Sequence, residues 1–488
     1  MEKQIGITII GLGPSDSQHW TMAAYKRLTQ ADEIYLRTAH HPSVVDILAK
    51  IHSFDAWYEQ STDFNSLYDQ IAAEIVRLGQ RENGVIYAVP GHPHVGEATV
   101  PRILALAEQR QLPVTIIAGL SFIEPTLTAL NLNALDNLQI VDALEIANLH
   151  HPPLNPDHPA LVARLYGAGI AKQVKNSLLN AYSHDYTVTL IRAADCETER
   201  VRHCPLAELD NQTDLDELTT LYLPADSANN SLVTFQETIA HLRSAEGCPW
   251  DKIQTHQSLR RYLLEETYEV LEALDANDTA ALAEELGDLL LQIALHTQIA
   301  TETGEFKMGD VIGQINRKML RRHPHVFGDV VINEVSELGP IWSAIKQTEK
   351  TEKGIVPKMA SALDGIQVGL PALAQTLALS KKAVSAGFEW HNMAGVLDKI
   401  VEEAREVAEA TEYTHLESEI GDLFFSLVNL ARWHNIDPES ALRSTNARFT
   451  RRFQTMESLA MAQSKNLPDL SLEEILDLWE EAKRKTTN

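Results

Sequence analysis

At 488 residues the chain is too long for one hydrophobic core, and a length prior points to about three domains. Its 68 acidic against 41 basic side chains leave a formal charge of −27, which argues against general binding to nucleic acid or to an anionic membrane. Three cysteines make no disulfide framework, no run of about 18 apolar residues occurs and no signal-peptide pattern opens the chain, so the expectation is a soluble protein of the reducing cytoplasm.

The first 223 residues read as α/β. A β-branched run at 5–10 enters the turn Gly11-Leu-Gly13-Pro14, and a helical stretch at 21–30 follows. Residues 85–89 lead into Pro90-Gly91-His92-Pro93 and a helix near 100–109, and residues 114–117 enter Gly119-Leu-Ser121-Phe122 before another helix. Strand, tight turn and helix in repeated order predict a mainly parallel sheet. A breaker-rich loop at His150-His-Pro-Pro belongs to a second lobe, with a helix or strand–helix unit at 160–171 and strands at 186–191 and 218–223. A linker at 224–231 then closes this half.

From residue 234 onward the pattern has helical period. Leu263, Val270, Leu271 and Leu274 form one apolar stripe, and Leu286, Leu289, Leu290 and Ile293 another, with a break at 275–278. A second such pair spans 396–410 and 416–433, with a break at 411–414, and a breaker-rich stretch at 354–369 joins the two pairs.

Each pair carries the same acids. The first holds Glu265-Glu266-Thr-Tyr-Glu269 and Glu285-Leu-Gly-Asp288; the second holds Glu402-Glu403-Ala-Arg-Glu406 and Glu419-Ile-Gly-Asp422. Residues three apart share a helix face, so two facing helices bring four carboxylates together. That crowding is costly unless a cation sits among them, which points to a hard divalent metal of the kind that handles phosphates. Basic and aromatic residues repeat downstream: Lys318, Arg321-Arg322 and Trp342-Ser-Ala-Ile-Lys346, then Arg448, Arg451-Arg452 and Trp479-Glu-Glu-Ala-Lys483. The bases suit phosphate oxygens and an aromatic suits a base or ribose. For each tryptophan taken singly, core or cap packing is the commoner use. The arginine pairs suit either phosphate contacts or salt bridges.

Residues of about 235–488 resemble the MazG-type nucleoside triphosphate pyrophosphohydrolases, carried by Cys248-Pro-Trp-Asp-Lys-Ile-Gln-Thr-His256, the Glu265–Glu269 helix, Glu-Leu-Gly-Asp288 and Arg-Arg-His-Pro-His-Val-Phe327. The resemblance implies Mg²⁺-dependent cleavage of a nucleoside triphosphate to monophosphate and pyrophosphate. It implies metal cages of Glu266, Glu269, Glu285 and Asp288 and of Glu403, Glu406, Glu419 and Asp422. Glu265 or Glu402 would position or deprotonate the attacking water. Lys318, Arg322, Trp342 and Lys346, and Arg448, Arg452, Trp479 and Lys483, would contact nucleotide. It also favours a homodimer.

Residues 1–223 resemble the tetrapyrrole (corrin/porphyrin) methylases through Gly11-Leu-Gly13-Pro14-Ser-Asp16, the segment 31–37, Val89-Pro-Gly91-His-Pro93 and Gly119-Leu-Ser121-Phe-Ile-Glu124. This implies S-adenosylmethionine held between two lobes, with Gly11, Gly13, Pro14, Gly91, His92, Pro93, Ser121 and Phe122 as the cofactor residues. Ser15 stands where many relatives have Gly, and Gly-His-Pro replaces the commoner Gly-Asp-Pro. The fusion as a whole resembles the YabN type. The expected organisation is a two-lobed α/β methylase-like domain at 1–225 and two all-α MazG-like repeats at 232–353 and 360–488. Two alternatives stand beside the hydrolase: a tetrapyrrole methyltransferase with an accessory helical part, and a non-catalytic regulatory or dimerisation module.

Overall fold

The computed structural model describes residues 5–352 and 361–486, apart from positions 62, 227 and 229. It divides into two compact units, Met1–Glu246 and Gly247–Asn488. The chain is a multidomain protein, α/β in its first unit and helical in its second.

Two five-stranded sheets organise the first unit. The first contains β1 (Ile7–Gly11), β2 (Glu33–Leu36), β3 (Lys50–Ser53), β4 (Val85–Val89) and β5 (Val114–Ile117), in the order β3-β2-β4-β1-β5. All its pairings are parallel. Successive side chains of a strand point to opposite faces, so a doubly covered sheet splits one strand between two cores. Ile7 and Ile9 pack with Val85, Tyr87 and Val89 under the helix Phe64–Gly79, while Ile10 and Ala88 pack with Leu28 of the opposite helix Met22–Thr29.

The second sheet contains β6 (Gln139–Asp142), β7 (Ala160–Ala163), β8 (Thr187–Arg192), β9 (Arg200–Pro205) and β10 (Thr219–Leu223), in the order β6-β7-β10-β8-β9. The mainly parallel pairing expected from the glycine-turn units holds in the first sheet and does not extend to this one. Only β6–β7 is parallel, and β7–β10, β10–β8 and β8–β9 are antiparallel. The physical reason for the β8–β9 pairing lies in their connection: no helical crossover separates them, and parallel neighbours need one. The helix α1 (Leu232–Arg243) follows the expected linker and belongs to this unit. Asp157 of the second lobe accepts hydrogen bonds from the hydroxyls of Ser231 (2.5 Å) and Thr234, which anchors the first turn of α1.

In the second unit, α2 (His256–Ala276) and α3 (Thr279–Thr303) form the first hairpin. Asn277 turns the chain at φ +54, and Asp278 caps α3 through the Ala280 and Ala281 amides. Next come α4 (Met308–Arg322) and α5 (Leu338–Glu352); residues 353–360, where much of the expected joint lies, fall outside the described residues. Beyond them α6 (Ala372–Ser385) precedes a second hairpin of α7 (Met393–Glu409) and α8 (Tyr413–Trp433). The expected break at 411–414 is shorter than read, because Tyr413 and Thr414 already lie in α8. The chain closes with α9 (Pro438–Ala462) and α10 (Leu472–Thr486), joined by a core of Met456, Ala460, Leu478 and Ala482. Of the expected apolar stripes, Leu274, Leu286, Leu290 and Ile293 are exposed. Among the described residues no helix is long and apolar enough to cross a membrane.

Candidate functional sites

Helical period sends Glu266 of α2 and Glu285 and Asp288 of α3 to one place: a carboxylate oxygen from each lies within 4.8 Å of the others. Glu403 and Glu406 of α7 form the same kind of trio with Glu419 of α8. Neither Glu269 nor Asp422 is in a trio, although Glu269 shares a hydrogen bond with Glu266. The electrostatics show the crowding. Lost hydration, the Glu269 hydrogen bond and the charges of Asp288 and Glu269 push the Glu266 carboxyl up. Glu285 is pushed up by lost hydration, then by Glu269 and Asp288. Glu406 is raised by lost hydration and by Glu403 and Glu419, against a smaller opposing pull from Lys399. Clustered hard oxygen donors whose charges oppose one another fit a divalent cation such as Mg²⁺.

The two trios differ in one respect that the sequence reading missed. Lys399 stands one helical turn before the second set and reaches Glu403 at 2.6 Å and Glu402 at 3.1 Å, while His415 lies 3.0 Å from Glu419. Glu403 is buried, and that ammonium is its ion-pair partner. The aligned positions in the first repeat are Tyr262 and Ala281, neither a cation. The i,i+4 spacing to Glu403 and Glu419 was the available signal.

Downstream, the basic residues also part company. Arg321 and Arg322 both close on Glu349 of α5, at 2.5 and 2.7 Å, and together hold its carboxyl down at about 2. Trp342 donates its ring N–H to the Arg322 carbonyl at 2.9 Å and meets His323 edge-on, so it caps the end of α4. Lys318 is half-buried and Lys346 exposed. In the second repeat, Arg448 bonds the Thr445 hydroxyl at 3.1 Å, and Trp479 packs on Phe449 against the α9–α10 core. Lys483 pairs with Glu480 at 2.5 Å. Arg452 is half-buried with its Nε unpartnered among the described residues.

A third site is a cleft of about 260 Å³ in the first unit, where the ends of β1 and β4 meet the ends of β7 and β8. Gly13, Pro14, Gly91, His92, Ser121 and Phe122 line it; Gly11 and Pro93 do not. Gly11 acts one layer below, since a Cβ there would stand 2.5 Å from the Gly91 carbonyl and 2.6 Å from the Gly119 amide. Three glycine turns thus touch through backbone. Ser121 gives its amide and hydroxyl to Glu124, at 2.8 and 2.6 Å, and His92 Nδ1 accepts the His94 amide at 3.0 Å.

Sequence reasoning missed the rest of this wall. Arg37 reaches it while bonded to the buried Glu97 (3.0 Å) and to Tyr58 (3.1 Å); burial works against its charge, and those partners more than offset it. Arg164, Tyr166 and Ala193 line the far side with φ of +63, +56 and +51. Non-glycine residues held in this left-handed region are typical of ligand sites. His41, also in the wall, is kept neutral by burial, against a weaker pull from its bond to Gly13.

With these geometries in view, similarity to known proteins divides at the same place. The family model described as "MazG nucleotide pyrophosphohydrolase domain" matches residues 254–327 and 392–456, and "Tetrapyrrole (Corrin/Porphyrin) Methylases" matches 6–210. Bacillus subtilis YabN is 40% identical over 488 residues, 98% of each chain. The Thermotoga maritima nucleoside triphosphate pyrophosphohydrolase/pyrophosphatase MazG is 43% identical over 254 residues, 51% of this chain and 96% of that one. The Escherichia coli K12 nucleoside triphosphate pyrophosphohydrolase is 40% identical over 249 residues, 50% of this chain and 93% of that one. A solved uroporphyrin-III C-methyltransferase from Thermus thermophilus shares 18% identity, covering 46% of this chain and 93% of that one at a TM-score of 0.36.

Proposed function

We propose that this chain, which belongs to the YabN family of tetrapyrrole methylase–MazG fusions, hydrolyses nucleoside triphosphates to the monophosphate and pyrophosphate. The observation that carries the reading is the doubled carboxylate trio on facing helices. Glu266, Glu269, Glu285 and Asp288 would hold Mg²⁺ in the first repeat, and Glu403, Glu406, Glu419 and Asp422 in the second. When bound, the metal supplies Lewis-acid polarisation of phosphate oxygens and a more acidic water. Water adds to the α-phosphorus, the bond to the bridging oxygen breaks, and pyrophosphate departs. Glu265 or Glu402 orients that water and takes its proton. Lys318, Arg322 and Lys346, or Arg448, Arg452 and Lys483, neutralise phosphate charge.

The second repeat is the readier phosphate site on this reading. Its Lys399 already stands at the acids and Arg452 keeps an Nε unpartnered among the described residues, whereas Glu349 occupies both arginines of the first repeat. Trp342 and Trp479 would add ring contacts to the nucleotide beyond the hydrogen bond to the Arg322 carbonyl and the packing on Phe449 that they already make. The exposed stripe of Leu274, Leu286, Leu290 and Ile293 supports pairing of two chains into a homodimer. In the first unit the wall of glycine turns suits S-adenosylmethionine, which can pack closely on the backbone at Gly13, Gly91 and Ser121. That cleft favours methyl transfer as a second activity.

The test is release of pyrophosphate from a panel of common and modified nucleoside triphosphates, with Mg²⁺ and with EDTA. Wild type should release it only with the metal, and the double variant Glu266→Gln, Glu403→Gln should release none while remaining folded. A clean preparation with no activity on any member of the panel overturns the reading.

A further inference from the structure

We propose that His41 is a positioning residue for the cofactor turn, locking the paired glycine turns of the first unit into the shape a ligand meets. This rests on the reading of that cleft as an S-adenosylmethionine site. Gly13 and Gly91 form an isolated bridge: the Gly91 amide donates to the Gly13 carbonyl at 2.8 Å, and the Gly13 amide to the Gly91 carbonyl at 3.3 Å. Both residues have positive φ, +78 and +67. Glycine takes such angles without strain, but it takes many others as readily, so the turn needs an outside restraint to hold one shape.

His41 supplies it. Its Nε2 lies 3.0 Å from the Gly13 carbonyl, and its Nδ1 lies 2.9 Å from the Ser43 hydroxyl and 3.4 Å from the Ser43 amide. A carbonyl can only accept, so Nε2 carries the proton and Nδ1 is the bare nitrogen that accepts from Ser43. Both lone pairs of the Gly13 carbonyl are then occupied, one by Gly91 and one by His41. The peptide plane cannot turn without losing two hydrogen bonds. Ser43 is fully buried and His41 is 8% exposed, so the anchor for the ring is fixed. No other side chain among the described residues bonds this carbonyl, although Arg37, His92 and Arg164 share the wall. A turn held in its bound shape spares the ligand the cost of ordering it.

The experiment is calorimetric titration of S-adenosylhomocysteine and S-adenosylmethionine into the full chain, as wild type, His41→Gln, His41→Ala and Ser43→Ala. Gln can still donate to Gly13, so its affinity should stay near wild type; Ala should weaken binding about tenfold, the value of one buried hydrogen bond with its restraint. Ser43→Ala, which loosens the anchor only, should weaken it about threefold. Equal affinity in all four proteins overturns the inference, as does Gln binding no better than Ala. If His41→Ala does not fold, the Gln and Ser43→Ala affinities decide. Absence of binding in wild type refutes the cofactor reading itself, and the inference falls with it.

Discussion

Replacing Glu266 by Gln should make the metal-free protein more stable and remove the first repeat's share of its response to Mg²⁺. Glu266, Glu285 and Asp288 hold carboxylate oxygens within 4.8 Å of one another. Two like charges at about 5 Å repel by roughly 0.8 kcal/mol in a water-like dielectric, and salt and exposure reduce this further. Neutralising Glu266 relieves two such pairs, a gain of about 1 kcal/mol. Gln keeps an amide that can donate to Glu269. For a unit of this size that gain raises the melting temperature by about 2–4 °C. The sign of the pH dependence follows. The folded Glu266 carboxyl titrates above its ordinary value of 4.5, so its contribution to stability is fully present below that value and lost as pH rises through the folded pKa. The variant's advantage should therefore be absent at acidic pH and present at neutrality. Saturating Mg²⁺ reverses the order, because a ligand at a hundred times its Kd adds about 2.7 kcal/mol to a protein that binds it. Circular-dichroism melts in EDTA and in Mg²⁺ read both effects. A variant less stable than wild type in EDTA at neutral pH, or stabilised by Mg²⁺ as much as wild type, would refute the reasoning.

Three further outcomes follow from the same geometry. Gly11→Ala places a Cβ 2.5 Å from the Gly91 carbonyl; overpacking of about 1–3 kcal/mol should lower the melting of the first unit and abolish S-adenosylhomocysteine binding, with hydrolysis intact, and an unchanged melt contradicts it. Glu349→Gln, made in a Glu403→Gln background, should lower the nucleotide KM of the first repeat about threefold by freeing Arg321 and Arg322, and an unchanged or higher KM speaks against the blocked-site reading. Because Glu266, Glu285 and Glu406 are pushed up, Mg²⁺ binding should release protons, more at mildly acidic than at alkaline pH. Titrations in buffers of different ionisation enthalpy measure this, and identical heats in all buffers would exclude it.

Much of the first sheet was legible because β-branched runs ending in glycine turns mark parallel strands entering helices. In the second sheet β8 and β10 were legible as strands but the reversal between β8 and β9 was not, because it runs through Ala193 and Asp195 in left-handed conformations, which neither residue type announces. The carboxylates were legible as faces, since three-residue spacing is a property of the helix. Which three acids meet depends on the stagger of the two helices, and that set Glu269 and Asp422 apart from the trios. Arg321-Arg322 suited phosphate contacts or salt bridges alike, and the partner α5 brings them, Glu349, lies across 27 and 28 residues with no local signature. Ser15, a departure from the family pattern, finds a partner no spacing could supply: His19, 2.9 Å away, which also holds Asp195 of the second lobe at 2.6 Å.

The most direct measurement of the central claim is hydrolysis in ¹⁸O-labelled water with mass analysis of the products. Attack at the α-phosphorus predicts one ¹⁸O in the nucleoside monophosphate and none in pyrophosphate, with the incorporation lost in the Glu266→Gln, Glu403→Gln double variant. Label in pyrophosphate, or in orthophosphate accompanied by nucleoside diphosphate, would contradict it.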